Sequence, residues 1–247
     1  MEKLNREYRN GNYCSSLRYI NSEDWIDYPD VSEWKKEIIV TSSPYCCSHL
    51  EATLRLIGNV EHIIKCDIPG DFVECGVFMG GSCIIIAQTL RHLGVGDRAI
   101  WMFDTFEGVP EPNETEIDGE GNNLREWYLE TQQEGWCYSS KHTVNNNMRK
   151  FAFDGEVHLI PGLVEDTIPQ IGPNTIALLR IDVDLEDPTR HILEHMYPRL
   201  STNGHIIFDD YGHFPNVKST VDEYLAIHAP NIYLDRVNRT IMHGVKP

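Results

Sequence analysis

The chain has 247 residues, of which 41% are hydrophobic and 24% charged, so it can bury the core of one domain, or of one domain with an appendage. Its 38 acidic side chains outnumber 21 basic ones and give a formal charge of −17. This charge argues against nucleic acid and anionic membranes as partners, because phosphates require a basic surface.

The sequence shows no signal for export or membrane insertion. No apolar run approaches the roughly 20 residues that span a bilayer, and the first residues have no apolar signal-peptide core. The seven cysteines contain no CxxC pair and indicate neither a disulfide framework nor a zinc site. We therefore expect a cytoplasmic protein with no membrane partner.

Residues 1–48 are polar and rich in aromatics with weak periodicity, which predicts an N-terminal arm and lid. Apolar residues at helical spacing predict a helix over 49–66, which Pro69 and Gly70 end. The next predicted elements are strand 71–75, helix 82–93, strand 99–103, helix 124–133, strand 157–160, strand 175–181, helix 188–200, strand 205–208, helix 217–229, and one or two strands within 231–243. Strands that alternate with helices predict a doubly wound α/β sheet over residues 49–247.

A long polar segment over 105–150 interrupts this alternation and predicts a substrate loop or lid, because segments of that length inside a domain are usually functional. Acidic residues follow several of the predicted strands. They are Asp104, Asp182, Asp209 and Asp210. Ligands of doubly wound sheets bind beyond the carboxyl ends of the strands, so the sequence predicts a site at that edge.

Glycines join the first predicted strand to its helix in the run Gly76 to Ser82. Glycine allows the backbone to approach a ligand and leaves the N–H groups of the helix free for an anionic group. The spacing is GxxxGG, which departs from the GxGxxG of dinucleotide enzymes. Asp104 follows Glu74 by about 30 residues and is placed to hold a ribose diol. The alternative is a tight turn without a ligand.

Asp182-Val183-Asp184 and Asp209-Asp210 bring several carboxylates to one edge if their strands are neighbours. Carboxylates at such short separations repel each other, and a hard cation such as Mg²⁺ or Ca²⁺ relieves the repulsion. Period-two spacing would point Asp182 and Asp184 to the same side, so that one binds metal and the other accepts a proton. The alternative is a solvated acidic rim.

Four motifs resemble the macrocin O-methyltransferase family of antibiotic tailoring enzymes. They are residues 69–82, 103–108, 179–184 and 208–211, within a similarity that covers roughly residues 40–230. The resemblance implies a Rossmann-like class I methyltransferase fold. It also implies transfer of a methyl group from S-adenosylmethionine to a hydroxyl, often on a deoxysugar of a natural product, with a requirement for Mg²⁺.

The resemblance assigns Asp182, Asp209 and Asp210 to the metal and makes Asp184 a candidate general base. His213 is a weaker candidate for contact with substrate or for proton transfer, since a surface histidine is the more ordinary interpretation. The cofactor residues that it implies are Thr41 and Ser42 in a lid, Glu74, Gly76, Phe78, Gly80 and Ser82 at the methionine end, Asp104 and Thr105 at the ribose, Gly162, Val164 and Glu165 at the adenine, and Asp182.

The leading hypothesis is thus a Mg²⁺-dependent O-methyltransferase that acts on a small hydroxylated molecule, most simply a sugar hydroxyl. A metal-dependent glycosyltransferase is the second hypothesis, because Asp182-Val183-Asp184 is a DxD pattern. A non-catalytic protein that binds S-adenosylmethionine is the third, and a nicotinamide oxidoreductase is disfavoured by the missing third glycine. By analogy with the family we expect a homo-oligomer in which residues 1–40 reach a neighbouring copy.

Overall fold

Parallel strands form most of the seven-stranded sheet in the computed structural model, which describes residues 25–131 and 136–247. The strands are β1 (Asp71–Cys75), β2 (Ile100–Asp104), β3 (Val157–Pro161), β4 (Ile176–Ile181), β5 (Leu200–Phe208), β6 (Tyr233–Arg236) and β7 (Met242–Val245). The helices are α1 (Glu33–Ser42), α2 (Leu50–Lys65), α3 (Gly81–His92), α4 (Leu124–Thr131), α5 (Lys141–Arg149), α6 (Val164–Thr167), α7 (Glu186–Met196) and α8 (Pro215–His228).

The strand order is β3-β2-β1-β4-β5-β7-β6. Neighbours from β3 to β5 are parallel, whereas β7 pairs antiparallel with both β5 and β6. The chain therefore winds outward from β1 to β3 and returns to β4 on the other side of β1. This reversal makes the edge between β1 and β4 the topological switch point, and it confirms the predicted doubly wound α/β fold.

Each face of the sheet is covered by its own apolar core. On strand β5, Ile206 and Phe208 belong to one core and Ile207 to the other, as the alternation of side chains along a strand requires. Helices α1, α2 and α3 cover the face of Ile207, and α7 and α8 cover the opposite face. The central strands are buried on both faces, which explains why they read as nearly continuous apolar runs.

Several boundaries differ from the predicted ones. Helix α7 begins at Glu186, so that Pro188 lies in its first turn, and ends at Met196, before the 3-10 turn Tyr197–Arg199 that contains Pro198. The predicted helix 188–200 was therefore too long at its end. Strand β5 begins five residues before the predicted 205, because its first half is polar and partly exposed and has no apolar alternation.

Among the described residues, three helices were not predicted, and one of them, α6, is a single turn. Helix α5 begins where the Ser140 hydroxyl accepts a hydrogen bond from the Thr143 N–H at 3.2 Å, a typical N-cap. Helix α1 buries Ile38 and Ile39 in the core that contains α2 and α3. Residues 33–45 are therefore packed against the sheet domain, whereas the first half of the predicted arm and lid, residues 1–24, lies outside the described residues.

Two further expectations concern membranes and cysteines. In the part of the chain that the structure describes, no helix is both long enough and apolar enough to cross a membrane. Cys75 and Cys83 are fully buried, one in each of the two apolar cores.

Three histidines that do not line the predicted site form a hydrogen-bonded chain across the sheet. His62 of α2 lies 2.8 Å from His205 of β5, and the second ring nitrogen of His205 lies 2.8 Å from His243 of β7. Burial, then the charge on His243, lowers the pKa of His205 to about 3. Burial, then Arg55, lowers the pKa of His243 to about 4. The folded protein thus holds both rings neutral, because a charged ring would lack water there.

This histidine chain predicts loss of stability in mild acid. Below pH 6.5 the histidine becomes protonated in the unfolded chain, whereas His205 in the folded protein stays neutral. The stabilisation from neutral His205 is therefore full above pH 6.5 and decreases as the pH is lowered. Between pH 7 and pH 5 the free energy of unfolding should fall by about 2 kcal/mol more in the unmodified protein than in His205→Gln. Urea unfolding at both pH values measures this difference.

The exposed His228 on α8 provides the control for this experiment. His228→Gln should keep the steeper pH dependence of the unmodified protein. Equal pH dependence in His205→Gln and the unmodified protein would show that His205 titrates in the folded state as it does in the unfolded chain.

Candidate active site

A cavity of about 370 Å³ opens beyond the carboxyl ends of the parallel strands, at the switch point between β1 and β4. Its volume is within the range of small-molecule and cofactor sites. The predicted site residues that line it are Gly76, Phe78, Asp104, Thr105, Gly162, Val164, Glu165, Asp182, Asp184, Asp209, Asp210 and His213. The structure therefore brings together most of the residues that the sequence singled out, from loops that follow β1 to β5.

The other predicted cofactor residues do not line this cavity. Thr41 and Ser42 lie in the last turn of α1, where their hydroxyls donate to the carbonyls of Glu37 and Ile38. The predicted lid contact of Thr41 and Ser42 is therefore not supported. The residues that line the cavity here are Cys47, Ser48 and His49, which follow the 3-10 turn Ser43–Tyr45.

Glu74, Gly80 and Ser82 also lie away from the cavity. The Glu74 side chain points into the core and pairs with Arg180, while Gly80 lies between α3, Met102 and Val144. Ser82 lines a separate small void beside Arg180. A predicted contact of these three residues with the cofactor is not supported by their positions.

Asp104 at the end of β2 holds two loops in place. Its Oδ2 accepts hydrogen bonds from the N–H groups of Val77 at 2.7 Å and Phe78 at 3.2 Å, and its Oδ1 accepts from Phe106 at 2.7 Å. Burial raises the pKa of Asp104, and these three backbone donors act against the rise. The carboxylate thus fixes the turn after β1, and contact with a ribose diol stays a prediction.

Gly76 allows two strands to meet at the cavity floor. The Asp182 N–H donates to the Cys75 carbonyl at 2.9 Å, which continues the β1–β4 ladder past the end of the strand. Gly76 has a φ of +81°, and a Cβ at this position would lie 1.6 Å from the Asp182 carbonyl oxygen. Only glycine fits, because no side chain can occupy that space.

Asp182, Asp209 and Asp210 form the predicted group of carboxylates. One oxygen from each residue lies within 4.8 Å of the others. The Asp209 N–H donates to the Ile181 carbonyl at 3.0 Å, so the β4–β5 ladder places Asp209 beside Asp182. Three convergent carboxylate oxygens fit a hard divalent cation such as Mg²⁺, which keeps its other positions for water or substrate oxygens.

Asp184 reaches the same cavity by a route other than the predicted one. Strand β4 ends at Ile181, and Asp184 has a left-handed φ of +63°, so the expected period-two alternation between Asp182 and Asp184 is wrong. A tight turn instead brings the Asp184 N–H to Asp210 Oδ2 at 3.1 Å. Burial, then Asp182 and Asp209, raises the pKa of Asp184 to about 8. A non-glycine residue held at positive φ is often found at functional sites.

Arg180 is the cation among these acids. Its place just before the metal site in the sequence indicates a residue that packs or forms a salt bridge there, and the structure shows the salt bridges. Its guanidinium contacts Glu74 at 2.5 Å, Asp182 at 2.6 Å and Asp209, and only 5% of its side chain is exposed. Burial lowers the pKa of Arg180, but the charges of Asp182, Asp209 and Glu74 together raise it by more. The net shift is upward, so the guanidinium stays charged. An arginine inside an apolar strand is a signal for such pairing, because charged side chains are rarely buried without a partner.

The loop before β7 is a part of the site that the sequence analysis did not predict. Arg239, Thr240 and Ile241 line the cavity because β7 pairs antiparallel with β5 and places Met242 opposite Phe208. Nothing in the local sequence distinguishes these three residues, since their position depends on a pairing across more than 30 residues.

Comparison with known proteins agrees with this geometry. Residues 52–243 match the model of the macrocin O-methyltransferase (TylF) family. The chain belongs to this family.

Two curated relatives come from antibiotic pathways. Demethyldecarbamoylnovobiocin O-methyltransferase of Streptomyces niveus is 38% identical over 68% of this chain and 62% of its own length. Mycinamicin III 3''-O-methyltransferase of Micromonospora griseorubida is 31% identical over 78% of this chain and 76% of its own length. The match to the first relative thus spans less than two thirds of that protein.

Solved structures give the same fold. The structure of the O-methyltransferase NovP superposes with a TM-score of 0.73 at 32% identity and covers 82% of each chain. A calicheamicin methyltransferase, CalS11, superposes with a TM-score of 0.61 at 18% identity over 94% of this chain and 96% of its own, and supports the fold alone.

In this macrocin O-methyltransferase family member, the described parts of the segment 105–150, residues 105–131 and 136–150, lie over one side of the cavity. Trp136 lines the cavity and packs edge-on against two aromatic rings. Its ring centroid lies 5.2 Å from that of Trp127 and 6.4 Å from that of Phe214. Glu116 is buried and accepts a hydrogen bond from the Glu186 N–H at 2.7 Å, at the start of α7. Burial raises the pKa of Glu116 to about 7 despite that hydrogen bond. The segment is therefore packed on α7 and α8, as a wall of the site.

The close approach at Gly76 gives a testable prediction. Gly76→Ala should remove cofactor binding and lower the melting temperature by several degrees, because the new methyl group forces β1 and β4 apart. Calorimetric titration with S-adenosylhomocysteine and thermal unfolding measure the two effects.

Gly94 is the matched control, since it has a similar φ of +73° and open space around its Cβ position. In Gly94→Ala the free energy of unfolding should fall by only about 1 kcal/mol, the strain of an alanine in the left-handed conformation. Binding of S-adenosylhomocysteine should be unchanged. Wild-type binding by Gly76→Ala would show that the strands separate without cost.

Proposed function

We propose that the protein is a Mg²⁺-dependent O-methyltransferase that transfers a methyl group from S-adenosylmethionine to a sugar hydroxyl of a small natural product. The observation that carries the proposal is one cavity with a glycine turn on one side and the group Asp182, Asp209 and Asp210 on the other. Because the matched region spans only part of the first curated relative, both activity and substrate belong to this proposal.

The cofactor side of the cavity fits S-adenosylmethionine in its residues. Gly76 gives close access to the backbone, and Asp104 offers carboxylate oxygens at the end of β2. Gly162 and Glu165 line the cavity after β3, and the family resemblance implies that they contact the adenine. When bound, the sulfonium cofactor supplies an activated methyl group, so the protein mainly has to position the two reactants.

The acceptor side combines charge and aromatic surface. Asp182, Asp209 and Asp210 would hold Mg²⁺, which lowers the pKa of a bound hydroxyl and orients it. Asp184 lies in the same cavity and would accept the hydroxyl proton as general base. Trp136 lines the cavity and would provide an aromatic contact for a sugar ring, and His213 lines the same cavity as a further polar group.

The names of the relatives support a sugar acceptor. The mycinamicin enzyme is named for a 3''-hydroxyl, and a Streptomyces olivaceus relative, 36% identical over 66% of this chain and 63% of its own length, is named as a 4'-O-methyltransferase of a rhamnosyl tetracenomycin. These names describe those proteins, and the acceptor of this chain is inferred from them by analogy.

The alternatives have less support. A DxD glycosyltransferase would need no glycine turn with an acid at the end of β2, yet both line the cavity. A non-catalytic binding protein would have no need to keep Asp182, Asp184, Asp209 and Asp210 together, and the loss of one of them would be enough for decay.

The first experiment separates the cofactor from the metal. We expect S-adenosylhomocysteine to bind both the unmodified protein and Asp209→Asn, because Asp209 belongs to the metal group. Mg²⁺ should bind the unmodified protein and bind Asp209→Asn at least tenfold more weakly. Calorimetric titration of each ligand alone measures this, with Asp187→Asn on the exposed part of α7 as the control. Absence of S-adenosylhomocysteine binding to the unmodified protein would refute the proposal.

The second experiment addresses the proton acceptor. Asp184→Asn should keep binding of S-adenosylhomocysteine and Mg²⁺ but lose turnover by roughly 10²- to 10⁴-fold, the usual contribution of a general base. A screen of deoxysugar glycosides and phenols with radiolabelled S-adenosylmethionine provides the assay. If Asp184→Asn were fully active on an acceptor that the unmodified protein methylates, Asp184 would be excluded as the base.

A further inference from the structure

Arg180 and Glu74 form a buried arginine bridge, by which we mean the ion pairs that join Glu74 through Arg180 to Asp182 and Asp209. We propose that Arg180 is a positioning residue that is held by Glu74 and presents Asp182 and Asp209 to the metal. This inference rests on the proposed Mg²⁺ site and extends it to two residues that touch neither the cavity nor, in the proposal, the substrate.

The contacts of the bridge are specific to individual atoms. Arg180 Nη1 donates to Glu74 Oε1 at 2.5 Å and to Asp182 Oδ2 at 2.6 Å, while Nη2 donates to Asp209 Oδ1. The second carboxylate oxygen of Glu74 accepts from the Cys83 thiol of α3 at 2.8 Å. Asp182 Oδ1 and Asp209 Oδ2 receive no hydrogen bond from Arg180, so each aspartate has an oxygen left for a metal.

The sheet fixes this arrangement before any ligand binds. Glu74 of β1 and Arg180 of β4 are direct partners in the parallel ladder. Asp182 follows Arg180 by two residues, and Asp209 follows Phe208, which is paired with Ile181. The bridge therefore connects three adjacent strands on one side of the sheet, and 2% of Glu74 and 5% of Arg180 side chain are exposed.

Charge makes this role necessary. The carboxylates of Asp182, Asp209 and Asp210 lie within 4.8 Å of one another, and Asp184 lies against Asp210. Such groups repel, and without a cation Asp182 and Asp209 would rotate apart. The planar guanidinium of Arg180 binds both aspartates in fixed directions, which a lysine ammonium, a point charge on a flexible stem, does not reproduce.

Glu74 acts on the metal through Arg180. Its negative charge attracts the guanidinium into the core and thereby weakens the hold of Arg180 on Asp182 and Asp209 enough for a cation to share them. Outer partners of metal ligands commonly change metal affinity by 10- to 100-fold when they are replaced. This role is separate from the contact with the methionine end of the cofactor that the sequence suggested for Glu74.

The test compares metal affinity with cofactor affinity. Arg180→Lys keeps the charge and removes the fork, and Glu74→Gln keeps an oxygen acceptor and removes the charge. Mg²⁺ and Mn²⁺ titrated into metal-free protein should bind 10- to 100-fold more weakly to both variants, while the affinity for S-adenosylhomocysteine without metal stays unchanged. Electron paramagnetic resonance of bound Mn²⁺ should show an altered coordination geometry.

Arg98→Lys is the matched control, because Arg98 donates to the Gly70 carbonyl at 2.6 Å at the opposite end of β1. It should leave both affinities unchanged. Thermal unfolding of the metal-free proteins identifies a variant that fails to fold, and Glu74→Gln, the milder change, then decides the test.

The outcomes separate this inference from the proposed function. Unchanged metal affinity in the folded variants, or an equal loss of metal and S-adenosylhomocysteine affinity, would show a merely structural ion pair and overturn the inference. If the unmodified protein binds S-adenosylhomocysteine but no divalent cation, the metal part of the proposed function fails, and Arg180 is itself the cation that neutralises the acids. If it binds metal but no S-adenosylhomocysteine, the cofactor assignment fails and the metal titrations still decide the role of Arg180.

Discussion

Repulsion between carboxylates is the constraint on which this end of the molecule depends. A parallel sheet aligns the ends of β1, β4 and β5. The sequence places an acid just before the end of β1 and acids just after the ends of β4 and β5. The fold tolerates this because Arg180 lies on the central strand of the three and forms ion pairs with acids from all of them. Removing one partner from such a buried network costs about 3–5 kcal/mol, since it leaves an uncompensated charge. The same network therefore stabilises the sheet and fixes the directions of the aspartates.

Much of the fold is predictable from the sequence because its signals are local. Apolar strands, the glycine turn after Cys75 and the regular helical spacing of 49–66 depend on neighbouring residues, and each predicts an element that the structure contains. The signal fails where an element is polar on its exposed side. Helix α1 is only weakly amphipathic, and the first half of β5 is partly exposed, so neither shows the periodicity that its class requires.

The details of the site depend on register, which a single sequence does not specify. That Glu74 points into the core and pairs with Arg180 follows from the alignment of β1 with β4, across about 100 residues of chain. The left-handed Asp184 shows the same limit on a smaller scale, because a tight turn replaced the expected extended geometry. Motif similarity found the acids themselves. Whether an acid contacts the metal, a loop or the arginine is set by its neighbours in three dimensions, which the motifs do not contain.

The two halves of the candidate site are joined by backbone atoms. The turn after β1 meets the start of the acidic loop through the Cys75 carbonyl and the space that Gly76 leaves open, so the two sides of the cavity have a fixed separation. Methyl transfer requires donor and acceptor atoms at about 3–3.5 Å in line, and small displacements lower the rate greatly. The described part of segment 105–150, in contrast, contacts the start of α7 through Glu116 and the residue before α8, Phe214, through Trp136. Under the proposed function, this segment can change to suit a different acceptor while the distance between methyl donor and metal stays the same.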